Sequence, residues 1–328
     1  MENLQPLLDQ AVSKLSLSQL KLLKQGNYYS KELVRSQVYS CKYQDKPAIL
    51  KVYDDPRGND EAAAMKAFHE YNTSEIIHCP KLLESDQLSS QKGWLLMEPM
   101  PSAATAVDHN NRQELLKVFF EYRLNFPEKS PLPLKLAEYL NSANFHLFRI
   151  NRWLELANHK DADHLIETGQ HLTDPVLLSQ KLQYSLNLLR EVFIDRPMIW
   201  SHGIFNRNKI FKISDQEYWL LDFGHTKLFP QGYELGLIIW ADYIMSNNWR
   251  ESTTHSWLEG IEKWCKEILP IAKKLKYPLP EKLLWGCLLE RAWGTILADI
   301  ISSEMPLEEK TARLKFLYAL VELCIEKL

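Results

Sequence analysis

Two groups of residues carry the chemical potential of this chain. Lys51 lies in the run Ala48-Ile49-Leu50-Lys51-Val52-Tyr53, and Glu61 follows in a run rich in helix formers. A lysine fixed on a strand can bring its ammonium to phosphate oxygens, whereas a lysine on a free edge is only a solvated cation. The second group is Trp200-Ser201-His202-Gly203-Ile204-Phe205-Asn206-Arg207-Asn208-Lys209-Ile210, followed by Leu220-Leu221-Asp222-Phe223-Gly224. It offers the imidazole of His202 and the carboxylate of Asp222. Ile204 cannot accept a proton, and the charged ammonium of Lys209 has donors but no lone pair for a metal. Other chemistries find no support. The 10 histidines form no H-E-x-x-H pair, no G-x-S-x-G occurs, and His225 reads as a loop residue. The 5 cysteines (Cys41, Cys79, Cys265, Cys287, Cys324) contain no C-x-x-C pair, which disfavours a zinc site or a disulfide framework and suggests reduced, mostly buried thiols.

Several elements must position these groups. Leu4, Leu7, Leu8, Val12, Leu15 and Leu22 recur at near-helical spacing and predict an amphipathic lead-in over residues 4–24. Residues 38–43 and 48–53 read as two strands around the turn 44–47. A helix carrying Glu61 is expected to be capped by Asn59 or Asp60, with acid near its positive end. Residues 81–84 and 94–97 complete a β-β-α-β-β order. Beyond Pro99-Met100-Pro101 a polar linker, residues 102–112, leads into helical patterns. One helix is expected to be capped by Thr173 or Asp174 and to align Leu178, Leu182, Leu186, Leu189 and Phe193. A hairpin over 209–221 interrupts the helical half, and further helices are expected near 233–248, 253–274, 280–302 and 307–327. The predicted division is a lead-in over 1–21, a small β-rich lobe over 22–100 and a helical lobe over 101–328.

Composition narrows the setting. The chain has 328 residues, 45% hydrophobic and 25% charged, with a formal net charge of −3. That is enough to bury a large core, and it gives no reason to expect nucleic acid or an anionic membrane as partner. No apolar run approaches the roughly 18 residues of a membrane span, and the start lacks a signal-peptide pattern. A cytoplasmic protein is expected.

These pieces together resemble the aminoglycoside phosphotransferase and choline kinase family. The resemblance covers most of residues 22–245 and implies an α+β, two-lobed protein-kinase-like fold with a small β-rich N-lobe and a large helical C-lobe. It implies that Lys51 contacts nucleotide phosphates, that Glu61 pairs with Lys51, and that the Glu98 carbonyl and Met100 N–H meet adenine. Pro99 sits where no N–H is needed. His202, Gly203 and Asp222 match the family's His-Gly-Asp-x-x-x-x-Asn loop and its later aspartate. Ile204 stands where the family has its base, and Lys209 where it has a magnesium-binding asparagine. The segment 25–30 has one glycine and the bulky Tyr28 and Tyr29, which hinder close backbone approach to phosphate. Glu234 stands near a position where relatives have a bracing aspartate.

Three functions follow as expectations. The first is a catalytically impaired or inactive phosphotransferase-like protein, a pseudokinase, with a binding or regulatory role. The Lys209 ammonium would replace one Mg²⁺ beside Asp222, leaving ATP binding weak, metal-independent or absent. The second is an active ATP-dependent kinase acting on a small-molecule hydroxyl, with a ligand moved to Asn208, for instance. The third is a protein-interaction scaffold, suggested by 10 tryptophans, although such residues ordinarily form the core of a helical lobe. The expected partners are a nucleotide or small molecule, with a protein partner left open.

Overall fold

The computed structural model describes residues 4–27, 34–108, 111–126, 144–147, 149–151, 153, 175–299 and 305–328. Its elements run α1 (Gln5–Leu15), β1 (Ser18–Asn27), β2 (Val34–Tyr43), β3 (Lys46–Asp54), α2 (Pro56–Tyr71), β4 (Ile77–His78), β5 (Leu82–Gln87), β6 (Lys92–Met97), β7 (Thr105–Ala106) and α3 (Arg112–Asn125). They continue with α4 (Pro175–Phe193), β8 (Met198–Ser201), β9 (Ile210–Ser214), β10 (Glu217–Leu220), β11 (Lys227–Pro230), α5 (Tyr233–Ile239), α6 (Thr254–Lys274), α7 (Glu281–Gly294) and α8 (Leu307–Lys327). The chain forms two compact units, Met1–Pro133 with His202–Lys227, and Leu134–Ser201 with Leu228–Leu328.

In the first unit a five-stranded antiparallel sheet has the order β1-β2-β3-β6-β5. Side chains alternate between its faces. Ala48, Leu50 and Val52 of β3 join Trp94 and Leu96 of β6 beneath Leu4, which precedes α1, and Leu8 and Ala11 of α1, and all are at most 8% exposed. Burying each such leucine is worth about 1.5–3 kcal/mol, so α1 fixes the sheet from that side. Lys51 and Tyr53 belong to the other set of the alternation, which meets α2. A Cβ added at Gly58 would lie 2.3 Å from the Tyr53 ring, so the first turn of α2 rests directly on that ring. The Tyr53 hydroxyl also donates to Asn59 Oδ1 at 2.7 Å. This seating delivers Glu61 to Lys51.

Three local expectations are corrected. Helix α1 ends at Leu15, Ser16 turns left-handed at φ 51°, and residues 18–27 are a strand where the leucine spacing predicted helix to residue 24. The cap of α2 is Asp55, which accepts from the Arg57 N–H at 2.9 Å with Pro56 at the helix start, and not Asn59 or Asp60. Glu61 therefore sits in the second turn, past the orphan N–H groups that a first-turn acid would complement. Within the expected linker, β7 pairs with β9 in a second sheet of order β4-β10-β9-β7. There β4 runs parallel to β10, with Tyr218 opposite Ile77 and Trp219 opposite His78.

Among the described residues the second unit is helical apart from the β8–β11 pair. Its centre is α7, where every residue from Leu283 to Gly294 is buried, packed by α4, α5 and α8. Helix α5 runs into a π-helical turn, Trp240–Ile244, and α7 into another, Thr295–Asp299, within the helical stretches expected near 233–248 and 280–302. Residues 300–302, the Thr173 or Asp174 cap, and the side chain of Leu178 lie outside the described residues. Trp153, Trp200, Trp257, Trp264, Trp285 and Trp293 are core residues here, as Trp94 is in the first unit. All five cysteines are free and buried. Among the described residues no helix is long and apolar enough to cross a membrane.

Candidate functional site

The charged residues singled out in the sequence converge within the first unit. Lys51 on β3 pairs through Nζ with Glu61 Oε2 on α2, their side chains 16% and 6% exposed. Lys209 pairs through Nζ with Asp222 Oδ2.

The second pair has a local cause. Asn206 caps a short 3-10 turn, its side chain accepting from the Asn208 N–H at 3.0 Å, and the Lys209 N–H returns to the Asn206 carbonyl at 3.0 Å. The Leu221 N–H then donates to the Lys209 carbonyl at 2.9 Å. The backbone thus sets Lys209 beside the residue preceding Asp222. Asp222 itself is left-handed at φ 67°, a conformation aspartate tolerates better than most residues. Asn206 and the buried Arg207, which donates to the Asp108 carbonyl at 3.1 Å, went unread in the sequence. The Asn206-x-Asn208 capping signal was visible there.

His202 braces the turn that follows. Its Nε2–H donates to the Leu221 carbonyl at 3.0 Å, and its ring meets Phe223 edge-on at 5.0 Å. Phe223 also packs on Phe68 of α2 at 5.2 Å. A Cβ at Gly224 would lie 3.4 Å from the Arg57 carbonyl and 3.5 Å from Glu61 Oε2, so the Asp222-Phe223-Gly224 turn is close-packed on α2.

The electrostatics follow from four alternating charges. Burial works to raise the Asp222 carboxyl, but the ammoniums of Lys209 and Lys51 outweigh it and hold the group well below the usual carboxylate range. Burial raises Glu61 and prevails over the opposing Lys51 charge, with Asp222 adding to the rise. Burial also depresses the imidazoles, His202 to about 4 and His225 to about 3, against the pull of Asp222 in both cases.

A pH dependence follows. A histidine whose folded pKa is depressed contributes stability that is fully present above its unfolded value near 6.5 and is lost as pH falls through the folded value. Between pH 6 and pH 4.5 each such histidine should lower the unfolding free energy by about 1.4 kcal/mol per pH unit as the unfolded chain takes up its proton. Urea titrations across that range should show His202→Gln reducing the slope by one histidine's share. An unchanged slope would mean that His202 is not held neutral.

The space bounded by Lys51, Glu61, Asp222, Gly224 and His225 is about 10 Å³, room for a single water. Octahedral Mg²⁺ keeps several waters and needs oxygen ligands near 2.0–2.1 Å. Here both carboxylates already hold ammoniums. The site does not fit the divalent ion that the family resemblance implies.

The remaining candidates fall as follows. Ile204 is half-buried and Asn208 exposed. The Glu98 N–H donates to the Lys81 carbonyl at 2.9 Å, and among the described residues neither the Glu98 carbonyl nor the Met100 N–H has a backbone partner. Glu234 is buried in the second unit. Tyr28 and Tyr29 lie outside the described residues.

No family model and no curated protein sequence matches the chain. Solved structures do. A thermostable mutant of the aminoglycoside phosphotransferase APH(4)-Ia, in ternary complex with ADP and hygromycin B, is 13% identical with a TM-score of 0.57, the match covering 96% of this chain and 97% of that one. Spectinomycin phosphotransferase APH(9)-Ia, in complex with ADP and spectinomycin, is 12% identical with a TM-score of 0.55, over 98% of each chain. Plasmodium vivax ethanolamine kinase is 14% identical with a TM-score of 0.53, over 95% of this chain and 85% of that one. The chain therefore has the mixed α and β, kinase-like fold of these phosphotransferases.

Proposed function

We propose that this protein is a catalytically impaired phosphotransferase-fold protein, a pseudokinase with a binding or regulatory role. The observation that carries the reading is the Lys209–Asp222 ion pair. A tethered monovalent cation takes the carboxylate that a divalent ion would need, and Ile204 leaves no proton acceptor at the usual base position. A lost base slows transfer by 10²–10⁴. A lost metal removes the charge neutralisation on which phosphoryl transfer chiefly depends.

In this reading His202 and Asp222 are remnants of a catalytic loop. Lys51 and Glu61 form the phosphate-facing pair, and the Glu98 carbonyl and Met100 N–H are the adenine-facing groups. That the Glu98 carbonyl and Met100 N–H have no backbone partner among the described residues supports retained recognition of a base edge. The four charges at the other end sum to zero and exert no net attraction on a polyphosphate. Nucleotide binding is therefore weak and independent of metal. The ADP and AMP-PNP complexes of fold neighbours agree with a nucleotide ligand.

The intact Lys51–Glu61 pair favours a second reading, a working small-molecule kinase with its metal ligand moved to Asn208. Thermal-shift titration of ATP and ADP, each with Mg²⁺ and with EDTA, separates the two. The expected result is the same small stabilisation in both buffers and no ATP turnover above an Asp222→Ala control. A large Mg²⁺-specific shift, with turnover lost in that control, would establish the kinase instead.

A further inference from the structure

A second concavity in the first unit lies away from the charged cluster. It has a volume of about 290 Å³, equivalent to about ten waters at about 30 Å³ each and close to the lower limit of small-ligand pockets. Its floor is apolar: Phe68, Ile77 and Cys79 are each at most 3% exposed. The rings of His78 and Trp219 form a wall, 5.9 Å apart and inclined at 40°.

The polar groups deep in the pocket are committed within the protein. Asn72 Nδ2 donates to the carbonyls of Ser74 and Ile77, and His69 Nε2 lies 3.2 Å from both the Pro80 carbonyl and Cys79 Sγ. At the mouth the situation differs. Lys81 and Glu98 are exposed, and the Glu98 N–H to Lys81 carbonyl bond brings these residues side by side. Among the described residues neither side chain has an ion-pair partner. An apolar, aromatic-walled recess closed by one cation and one anion is complementary to a molecule with a ring and both charges.

We infer that this recess is a binding site for a small zwitterion with an aromatic ring, of the α-amino-acid class. The ring lies against Trp219 and Phe68, the carboxylate meets Lys81, and the ammonium meets Glu98. The walls belong to elements that also hold the charged cluster. Phe68 is on the helix carrying Glu61 and touches Phe223, and β10 carries Trp219 and leads to Asp222. An occupant would therefore bias the spacing of that cluster. The site shares only residue Glu98 with the metal-free reading, through its side chain here and its main-chain carbonyl there, so either can fail alone.

The test is a titration of the full chain, labelled with ¹³C at isoleucine methyls, with L-phenylalanine; the Ile77 resonance is assigned by Ile77→Val. The Ile77 methyl should shift and saturate. Lys81→Met and Glu98→Gln should each weaken binding by at least about tenfold, as should replacing the probe with 3-phenylpropionate or phenethylamine, since each change removes one charged hydrogen-bond partner. The variants alter exposed positions, and Glu98→Gln retains the main-chain carbonyl. Absence of a shift up to about 10 mM probe overturns the inference, because that is weaker than any useful affinity. Equal affinity for the singly charged probes, or undiminished binding by both variants, overturns it equally, leaving only an apolar crevice.

Discussion

Lys51→Met should destabilise the protein by about 3–5 kcal/mol at neutral pH, the cost of removing one partner of a buried ion pair. Lys51 is 16% and Glu61 6% exposed in their side chains, so little water is available to replace the lost ammonium. Burial already raises the Glu61 carboxyl, and Asp222 raises it further, with Lys51 the principal opposing charge. Without Lys51 the carboxyl should take up a proton at a higher pH. A group with a raised folded pKa disfavours folding once pH exceeds its unfolded value near 4.3 and increasingly until the folded pKa is passed. The penalty of the variant should therefore be smaller at pH 5.5 than at pH 7.5. Adding Glu61→Leu should recover much of the loss, because an apolar pair leaves no buried charge uncompensated. Urea unfolding of the single and double variants at both pH values measures this. A single-variant change within about 0.5 kcal/mol, typical of surface substitutions, would show that the pair is solvated and structurally idle.

Changing two loop positions together, as Ile204→Asp and Lys209→Asn, should make nucleotide binding depend on Mg²⁺. Removing the Lys209 ammonium returns both Asp222 oxygens to a cation, and asparagine adds a neutral oxygen donor. At a nucleotide concentration of about 100 times the dissociation constant, the variant should gain about 2.7 kcal/mol of stability with Mg²⁺ and much less with EDTA. Phosphoryl transfer, if recovered, should improve by a further 10²–10⁴ with the aspartate present than with Lys209→Asn alone, the usual contribution of a positioned base. Lys209→Asn alone should already separate the Mg²⁺ and EDTA curves. If neither variant distinguishes the two buffers, the ammonium is not what keeps the divalent ion out.

The convergence of Lys51, Glu61, Lys209 and Asp222 was legible only through the family resemblance, which aligned two separate segments; spacing along each segment alone does not bring them together. Hairpin β9–β10 was legible directly, since its strands and turn lie within 210–220. The misread segment 18–27 had another cause. Register shifts in β1, at Ser18/Lys21 and Leu22/Lys24, break the alternation of a strand, and its leucines then fall at spacings that suit a helix. The break after α1 uses left-handed Ser16, and Gln19 is left-handed within the first residues of β1; neither is the glycine that announces such a turn. The Asp55 cap carried a signal in Asp55-Pro56, outweighed by the run of alanines after Glu61. The β4–β10 pairing and the recess beside it had no local signature, because they join residues far apart in the chain.

That pairing also sets an order of events during biosynthesis. The first unit is discontinuous, and residues 134–201 must leave the ribosome before the segment 202–227 can join it. At about 5–20 residues per second this interval lasts several seconds. For that time the short strand Ile77–His78 has no β10 to bond with, Phe68 has no Phe223 to cover it, and the Lys51–Glu61 pair lacks its two neighbouring charges. The first unit can therefore close only once translation has passed Lys227, with Phe68 held until then by Tyr122 and Phe126 but not by Phe223.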